Sequence, residues 1–206
     1  MNGEFLKRGL FMDLTNFKKE LTSINKDIYF DSNQYLREKS SNPVKLKQVI
    51  IKAESLLRQI KEETFISKDE KYFLYGTLGN LYRIYGKPKT AIKYLELNLQ
   101  YSIEEKNYTR EIISLIRLGE ALKYDNQLEK ALEKFNQALV KSNETEVNSH
   151  LDFALQHKGK CLLELKRLKE AIKCFQEALV LRRAKGSYPL INSTVKAIGF
   201  AQGIQD

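Results

Sequence analysis

The chain repeats itself at a constant interval of 40 residues. Glycine, alanine and a bulky apolar residue all return at this interval, as Gly79, Gly119 and Gly159, as Ala91, Ala131 and Ala171, and as Leu95, Phe135 and Phe175. A glycine inside a helix costs about 1 kcal/mol relative to alanine, so three glycines at one phase indicate that neighbouring helices approach closely. Repeats of this length, when built from helix pairs, stack into a solenoid.

Apolar residues at helical spacing define the two segments of each repeat. Gly86 ends a first helix, and Pro88 opens the second at a position where its missing N–H costs little. The pattern predicts helix pairs at 69–85 with 88–105, at 108–124 with 128–141, and at 149–165 with 168–185. Because so few residues link the helices, each pair must be an antiparallel hairpin.

These residues resemble the tetratricopeptide repeat over positions 75–185. That family places an aromatic residue, Leu-Gly and a further apolar residue in the first helix, followed after the turn by Ala, Phe and Ala. The second repeat matches with Leu118, Gly119, Ala131, Phe135 and Ala138. The usual period is about 34 residues, and the longer period here resembles relatives that include bacterial peptide-pheromone receptors and eukaryotic adaptor scaffolds. We therefore predict an all-α fold, a right-handed α-solenoid of helical hairpins.

The repeat phase also divides the chain. The predicted units are an N-terminal helical extension (1–68) and a repeat region (69–206) made of repeats 69–107, 108–147 and 148–187 with a capping helix at 188–204. In the extension, 42–63 has the pattern of one amphipathic helix, and 28–40 is the candidate partner helix of a degenerate first repeat. A further helix is expected at 12–26, and the first ten residues carry no assignment.

Composition and charge bound the class of protein. Hydrophobic residues make up 42% and charged residues 30% of the 206-residue chain, as in folded helical proteins. The net charge of +9 favours an acidic partner. Without a signal-peptide pattern or an apolar run near the ~20 residues that span a bilayer, a cytoplasmic location is expected. Cys161 and Cys174 lack a CxxC pattern and are expected to be buried free thiols.

No motif of a catalytic or nucleotide-binding site is present. The P-loop, GxGxxG, HExxH and GxSxG patterns are all absent from the sequence. His150 and His157 lie about 10 Å apart along a helix, too far to share one metal ion without a third ligand between them, and position 154 is alanine. We therefore predict that the protein is not an enzyme and needs no cofactor or metal ion.

One flank of each first helix is predicted to line the concave side of the solenoid. The candidate groove residues are Phe73, Thr77, Asn80, Arg83, Ile116, Arg117, Glu120, Lys123, Tyr124, Phe153, Gln156, His157 and Lys160, and the strip continues with Ile84, Leu163, Glu164, Lys196 and Phe200. Such groups suit a peptide with a carboxylate and an apolar side chain. The charged members are expected to be exposed, so that reversing Arg117 and Lys123 together leaves the melting temperature nearly unchanged.

The resemblance implies that a peptide or helix of a partner protein binds in this groove. In the chaperone-binding subgroup of the family, Asn and Lys or Arg clamp a terminal carboxylate. Asn80 matches that pattern, but Gly76 stands where the first clamp lysine is expected. Binding of a chaperone tail is therefore not predicted.

The predicted function is non-catalytic binding of a protein or peptide segment, with an acidic ligand favoured. A regulator of another protein that resembles a peptide-pheromone receptor is the first alternative. A basic nucleic-acid-binding module is the second, because positive charge and tyrosines are concentrated in the repeats. No membrane partner is expected, nucleic acid is the weaker interpretation, and self-association stays open.

Overall fold

The computed structural model describes residues 2–62 and 68–204. The elements are α1 (Asn2–Ile24), a 3₁₀ turn (Asn25–Asp27), β1 (Ile28–Asp31), a second 3₁₀ turn (Ser32–Gln34), β2 (Arg37–Ser40), α2 (Pro43–Glu62), α3 (Lys68–Ile84), α4 (Pro88–Glu104), α5 (Tyr108–Tyr124), α6 (Leu128–Glu144), α7 (Leu151–Glu164), α8 (Leu168–Ala184) and α9 (Tyr188–Gln202). Helices are present in all the predicted repeat segments. The last residue of the predicted helix 42–63 and the link to residue 68 lie outside the described residues.

The prediction of a helix at 28–40 is wrong. These residues form an antiparallel β-hairpin in which Phe30 lies opposite Glu38 and Asp31 lies opposite Arg37. Ile28, Tyr29 and Phe30 are strand-favouring residues, and the Asp31 carboxylate accepts a hydrogen bond from the Asn33 amide at 3.0 Å, which starts the turn. The amide of Leu36 then donates to the Asp31 carbonyl at 2.9 Å and closes the loop.

The repeated glycines make room for the partner helix, as their phase predicts. A Cβ atom placed on Gly119 would lie 2.6 Å from Cε1 of Phe135, and one placed on Gly159 would lie 2.5 Å from the same atom of Phe175. At Gly79 the neighbour is Leu95 of α4, 2.4 Å away. The first helix of each pair therefore packs its backbone directly on the bulky apolar residue of the second.

The turns of the repeat region share one backbone device. A residue with positive φ follows each helix at an interval of twenty residues, at Gly86, Lys106, Asn126, Glu146, Lys166 and Gly186. At five of these turns, from Lys87 to Ser187, the amide of the next residue donates to the carbonyl five positions earlier, as Lys87 does to Tyr82 at 2.9 Å. This left-handed cap ends each helix and reverses the chain.

The buried apolar side chains of the described residues form two clusters. One joins α1, α2 and α3 through Phe17, Ile60 and Leu78, and the other runs from α4 to α9 through Leu95, Phe135 and neighbouring side chains. Helices α3, α5, α7 and α9 contact each other in succession and form the inner layer. Within the described residues, no helix is both long and apolar enough to cross a membrane.

Candidate functional site

The β-hairpin lies against the inner layer, at the C-terminal ends of α3, α5 and α7. Arg37 reaches α7, where its Nε and Nη2 atoms donate to the Glu164 carboxylate at 3.0 and 2.5 Å. The same Nη2 donates to the carbonyl of Lys123 at 2.9 Å and to the side chain of Asn126 at 3.0 Å. A fork-to-fork contact of this kind is the strong, oriented form of an ion pair.

Glu38 faces the opposite side and meets α3 and α5. Its carboxylate pairs with Arg83 at 2.5 Å. Its main chain is held by Tyr124, whose hydroxyl accepts from the Glu38 amide and donates to the Glu38 carbonyl at 3.2 Å. The centroid of the Tyr124 ring lies 5.2 Å from the guanidinium group of Arg37 and 4.6 Å from that of Arg83. The Tyr124 hydroxyl thus makes the two hydrogen bonds to the main chain of Glu38 that a neighbouring strand would otherwise make.

A buried charge cluster lies beneath the hairpin. The Glu120 carboxylate lies 2.8 Å from Nζ of Lys123, 3.0 Å from Nδ1 of His157 and 3.6 Å from Nη1 of Arg83. The contacts with Lys123 and Arg83 are ion pairs by distance, whereas that with His157 is one only when its ring is protonated. The atoms are not aligned as hydrogen bonds. Burial alone would raise the pKa of Glu120, but His157, Lys123 and Arg83 hold it well below its usual range. Burial lowers the pKa of His157, which favours the neutral ring.

The expectation that the groove charges are exposed is therefore wrong for three of them. Lys123 is fully buried, and Arg83 and Lys160 are each 4% exposed. Reversing the charge of Lys123 would set a carboxylate against Glu120, so the double reversal with Arg117 would destabilise the fold. The sequence could not show this burial, because the covering carboxylate of Glu38 comes from outside the repeats.

Lys160 of α7 contacts the tip and the first strand of the hairpin. Its ammonium lies 4.1 Å from the ring centroid of Phe30 and donates to the carbonyl of Leu36 at 3.4 Å. Burial, with the neighbouring charge of Lys123, lowers the pKa of Lys160 to about 8. Beyond it, Lys166 contacts the ring and hydroxyl of Tyr35.

A cavity of about 340 Å³ remains open beside the hairpin. Seven of the predicted groove residues line it, namely Asn80, Arg83, Ile116, Arg117, Glu120, Phe153 and His157, together with Glu38. Arg117 is the half-buried cation of this wall. Burial and the charge of Arg83 lower its pKa, and no carboxylate of the described residues lies within ion-pair distance of it.

Comparison with known proteins agrees with the repeat fold. A sequence profile described as the tetratricopeptide repeat matches residues 153–184. The apo form of RapI superposes with a TM-score of 0.66 at 20% identity, over 77% of this chain and 59% of RapI. The tetratricopeptide domain of Arabidopsis FLU superposes with a TM-score of 0.53 at 19% identity, over 57% of this chain and 99% of that domain. Residues 153–184 therefore match a tetratricopeptide repeat, and the chain has a tetratricopeptide-type fold.

A further structural similarity extends over nearly the whole chain. The Rap conjugation gene regulator of plasmid pLS20, in complex with the Phr* peptide, has a TM-score of 0.68 at 12% identity, over 98% of this chain and 55% of that one. This chain therefore spans little more than half the length of either Rap protein. No curated protein sequence matches it significantly. At these identities the likeness is one of fold.

Some predicted site residues lie away from the cavity. Phe73 turns to α1 and packs edge-on against Phe17 at 6.4 Å. Thr77 lines a second cavity of about 230 Å³ between α1 and α3, which Asn80 and Arg117 also border. Lys123, Tyr124 and Lys160 contact the hairpin instead. Gln156 is buried, and its amide has no hydrogen-bond partner among the described residues.

The residues that sequence reasoning missed are those of the hairpin. Arg37 and Glu38 make the shortest polar contacts with the groove, yet they lie outside the repeats. A signal was present, because Ile28–Phe30 favour a strand and Asp31–Asn33 favour a turn. Among the described residues, no group of three histidine, cysteine or acidic side chains could hold a metal ion. The thiols of Cys161 and Cys174 are free and buried, as expected.

Proposed function

We propose that this tetratricopeptide protein binds a protein or peptide segment in its inner groove without catalysing a reaction, and that the ligand presents a carboxylate to Arg117. The cavity of about 340 Å³ supplies the space, with Ile116 and Phe153 as apolar wall and Asn80 as a hydrogen-bonding amide. A few polar groups in a partly apolar cavity are typical of ligand sites.

The observation that carries this proposal is the charge of Arg117. A cation that is partly removed from water and faces another cation lowers stability unless an anion compensates it. Gly76 leaves the space that the guanidinium needs, since a Cβ atom there would lie 2.5 Å from its Nη1. A carboxylate in the cavity would supply the missing partner and form charge-assisted hydrogen bonds.

The test is selection of binders from a phage-displayed library of random peptides. We expect enrichment of acidic peptides by the wild-type chain, and at least tenfold weaker binding of those peptides to Arg117→Gln. The melting temperature of Arg117→Gln should not fall, because the substitution removes a poorly compensated charge. The matched control is Lys130→Gln, which removes one charge from an exposed position of α6 and should keep full affinity.

Equal affinity of Arg117→Gln and wild type for the selected peptides would contradict the role of this cation. A fall in melting temperature together with the loss of binding would instead make Arg117 a structural residue.

A second candidate function is regulation of another protein in response to a peptide. The likeness to the Rap regulator solved with the Phr* peptide supports this candidate at the level of the fold. In this candidate function the peptide binds in the same groove, and its binding also changes the conformation of the protein. Small-angle scattering with and without a selected peptide distinguishes the two, since a regulator is expected to change shape on binding and a passive scaffold is not.

The arrangement of the tyrosines supports protein binding over nucleic-acid binding. The ring of Tyr94 stacks on Tyr82 at 5.8 Å and contacts Tyr75 at 6.4 Å. The Tyr82 hydroxyl donates to Glu54 at 2.6 Å. These rings pack on each other between helices and are not free to stack on bases. A steep loss of binding with added salt would favour a nucleic-acid ligand instead.

A further inference from the structure

The conformation of the hairpin depends on the groove. Its strands have four residues each, and a two-stranded hairpin of this size is marginal in water by itself. Tyr35 and Leu36 have φ values of 50° and 60°, in the left-handed region that side chains other than glycine rarely adopt. Such a backbone persists where its surroundings enforce it. Here the surroundings are Lys160 and Lys166 of the repeats and the apolar cluster of α4 to α9, against which both side chains pack.

The groove in turn has a place for a charged segment. Without Arg37 and Glu38, the inner strip carries four cations, Arg83, Arg117, Lys123 and Lys160, against two carboxylates, Glu120 and Glu164. Glu38 supplies the shortest ion pair of Arg83, and Arg37 supplies that of Glu164. The packing of the repeat glycines on Leu95, Phe135 and Phe175, which joins the helices of each repeat, involves no hairpin residue. The contacts are therefore those of a ligand with its site.

We propose that residues 28–40 are an internal ligand of the groove, and that an extended partner segment with adjacent basic and acidic side chains displaces them by replacing Arg37 and Glu38. This inference rests on the proposed function and adds what the partner must present. Neighbouring side chains of an extended segment point to opposite sides. The basic one then reaches Glu164 on α7 and the acidic one reaches Arg83 on α3.

The main chain and an aromatic ring complete the match. The Tyr124 hydroxyl can bond the amide and carbonyl of any extended residue, as it does at Glu38, so it selects backbone conformation and not sequence. The ammonium of Lys160 lies over the Phe30 ring, at a distance typical of cation–π contacts. The fitting partner is thus an extended segment in which a basic–acidic pair lies beside an aromatic residue.

The test uses the full chain and a fluorescent synthetic peptide with the sequence of residues 28–40, IYFDSNQYLREKS. Glu38→Arg in the chain sets a cation against Arg83 and should release the hairpin. The control is Lys39→Gln on the same strand, which removes a partly exposed pair within the hairpin without setting like charges against each other. Circular dichroism checks that both variants keep the helical content of wild type.

We expect hydrogen exchange of the 28–40 amides to be at least tenfold faster in Glu38→Arg, with α5 to α8 unchanged. The peptide should bind Glu38→Arg at least tenfold more tightly than wild type or Lys39→Gln. A peptide that itself carries Glu38→Arg should not bind. Arg37→Glu, which opposes Glu164, is the second release variant and should behave in the same way.

Two results would overturn the inference. One is a hairpin that stays protected in both release variants, and the other is a released hairpin with no gain in peptide binding. Neither result would contradict the proposed function, which is tested separately by the affinity of the selected library peptides for wild type and Arg117→Gln. The reverse outcome is also informative. If the 28–40 peptide binds only after hairpin release and the library selection yields no binder, Arg117 is not the cation that binds the ligand carboxylate.

Discussion

The repeated glycines share one phase but have different neighbours. Gly119 faces Phe135, whereas Gly199, eighty residues later, has nothing within 4 Å of where its Cβ atom would lie. The same substitution should therefore have opposite effects at the two positions. Gly119→Ala must displace an aromatic ring, which typically costs about 1–3 kcal/mol. Gly199→Ala improves helix propensity by up to about 1 kcal/mol without any clash.

Urea denaturation of the two alanine variants measures this difference. We expect a lower midpoint for Gly119→Ala and an equal or higher one for Gly199→Ala. A loss at both positions would show that α9 has a neighbour on its glycine face.

Lys160 should give the stability of the protein a distinct pH dependence. Its pKa falls from 10.5 in the unfolded chain to about 8 in the fold, so between these values the unfolded chain binds more protons. Stability contributed by Lys160 therefore rises with pH across this window. Below about pH 8 the charge is retained in both states and its burial is costly throughout.

Replacing Lys160 by methionine should remove this dependence. We expect the free energy of unfolding of Lys160→Met, relative to wild type, to be most favourable near pH 7 and to decline steadily from pH 8 to pH 10.5. Chemical denaturation at several pH values measures it, and the cysteines contribute equally to both chains. A difference that stays constant with pH would mean that the ammonium is fully solvated.

Among the elements, the interhelical turns carry an avoidable strain. Glu146 adopts a φ of 56° at an exposed turn position. At the equivalent position of two other turns the residue is a glycine, Gly86 or Gly186. A left-handed residue other than glycine costs about 1–2 kcal/mol. Glu146→Gly should therefore raise the melting temperature, and Gly86→Ala should lower it. Differential scanning calorimetry of both variants tests this, and opposite shifts are required.

The helix pairs could be predicted from the sequence because each depends on local spacing. Gly119, Ala131 and Phe135 lie within one repeat, and their phase alone indicates which faces meet. The β-hairpin could not be found in this way. Its strands are too short to show a period, and the contacts of Arg37 and Glu38 lie with Glu164 and Arg83, far along the chain.

The sequence predicts which residues line the candidate site, but it does not predict whether they are buried or which partners they have. The polar strip Asn80, Arg83, Arg117 and His157 does line one cavity. Its burial and pairing depend on which segment covers it, and spacing within a helix carries no information about that. Phe73 was misplaced for the same reason, because α1 and not the groove receives its ring.

Across the whole molecule, a buried ion network joins the last three helices. Asp152 of α7 accepts from Nε of Arg182 of α8 at 3.0 Å, and Nη1 of Arg182 donates to the Thr194 hydroxyl of α9 at 2.7 Å. All three side chains are buried. Removing one member of a buried pair typically costs about 3–5 kcal/mol when the other charge is left without a partner. Asp152 also pairs with Lys185, so the loss of Arg182 should cost less than this.

Arg182→Gln should therefore loosen the C-terminal end of the array before the rest. We expect a fall in the free energy of unfolding, and faster hydrogen exchange in α9 than in α3 to α6. Arg167→Gln is the control, since it breaks an exposed pair with Glu170 and should cause no measurable change. Uniform acceleration over all helices would show that the array unfolds as one unit.

The hairpin is joined to α1 by a single 3₁₀ turn and to α2 by two residues. A segment held so closely has an effective concentration at its site of the order of millimolar. A free ligand at micromolar concentration that made the same contacts would therefore be outcompeted about a thousandfold, equivalent to about 4 kcal/mol. To exchange with the hairpin, a partner must gain this difference from contacts that the hairpin does not make. Such contacts are available in the open cavity beside Arg117. A free segment that makes only the contacts of the hairpin, or weaker ones, therefore does not displace it.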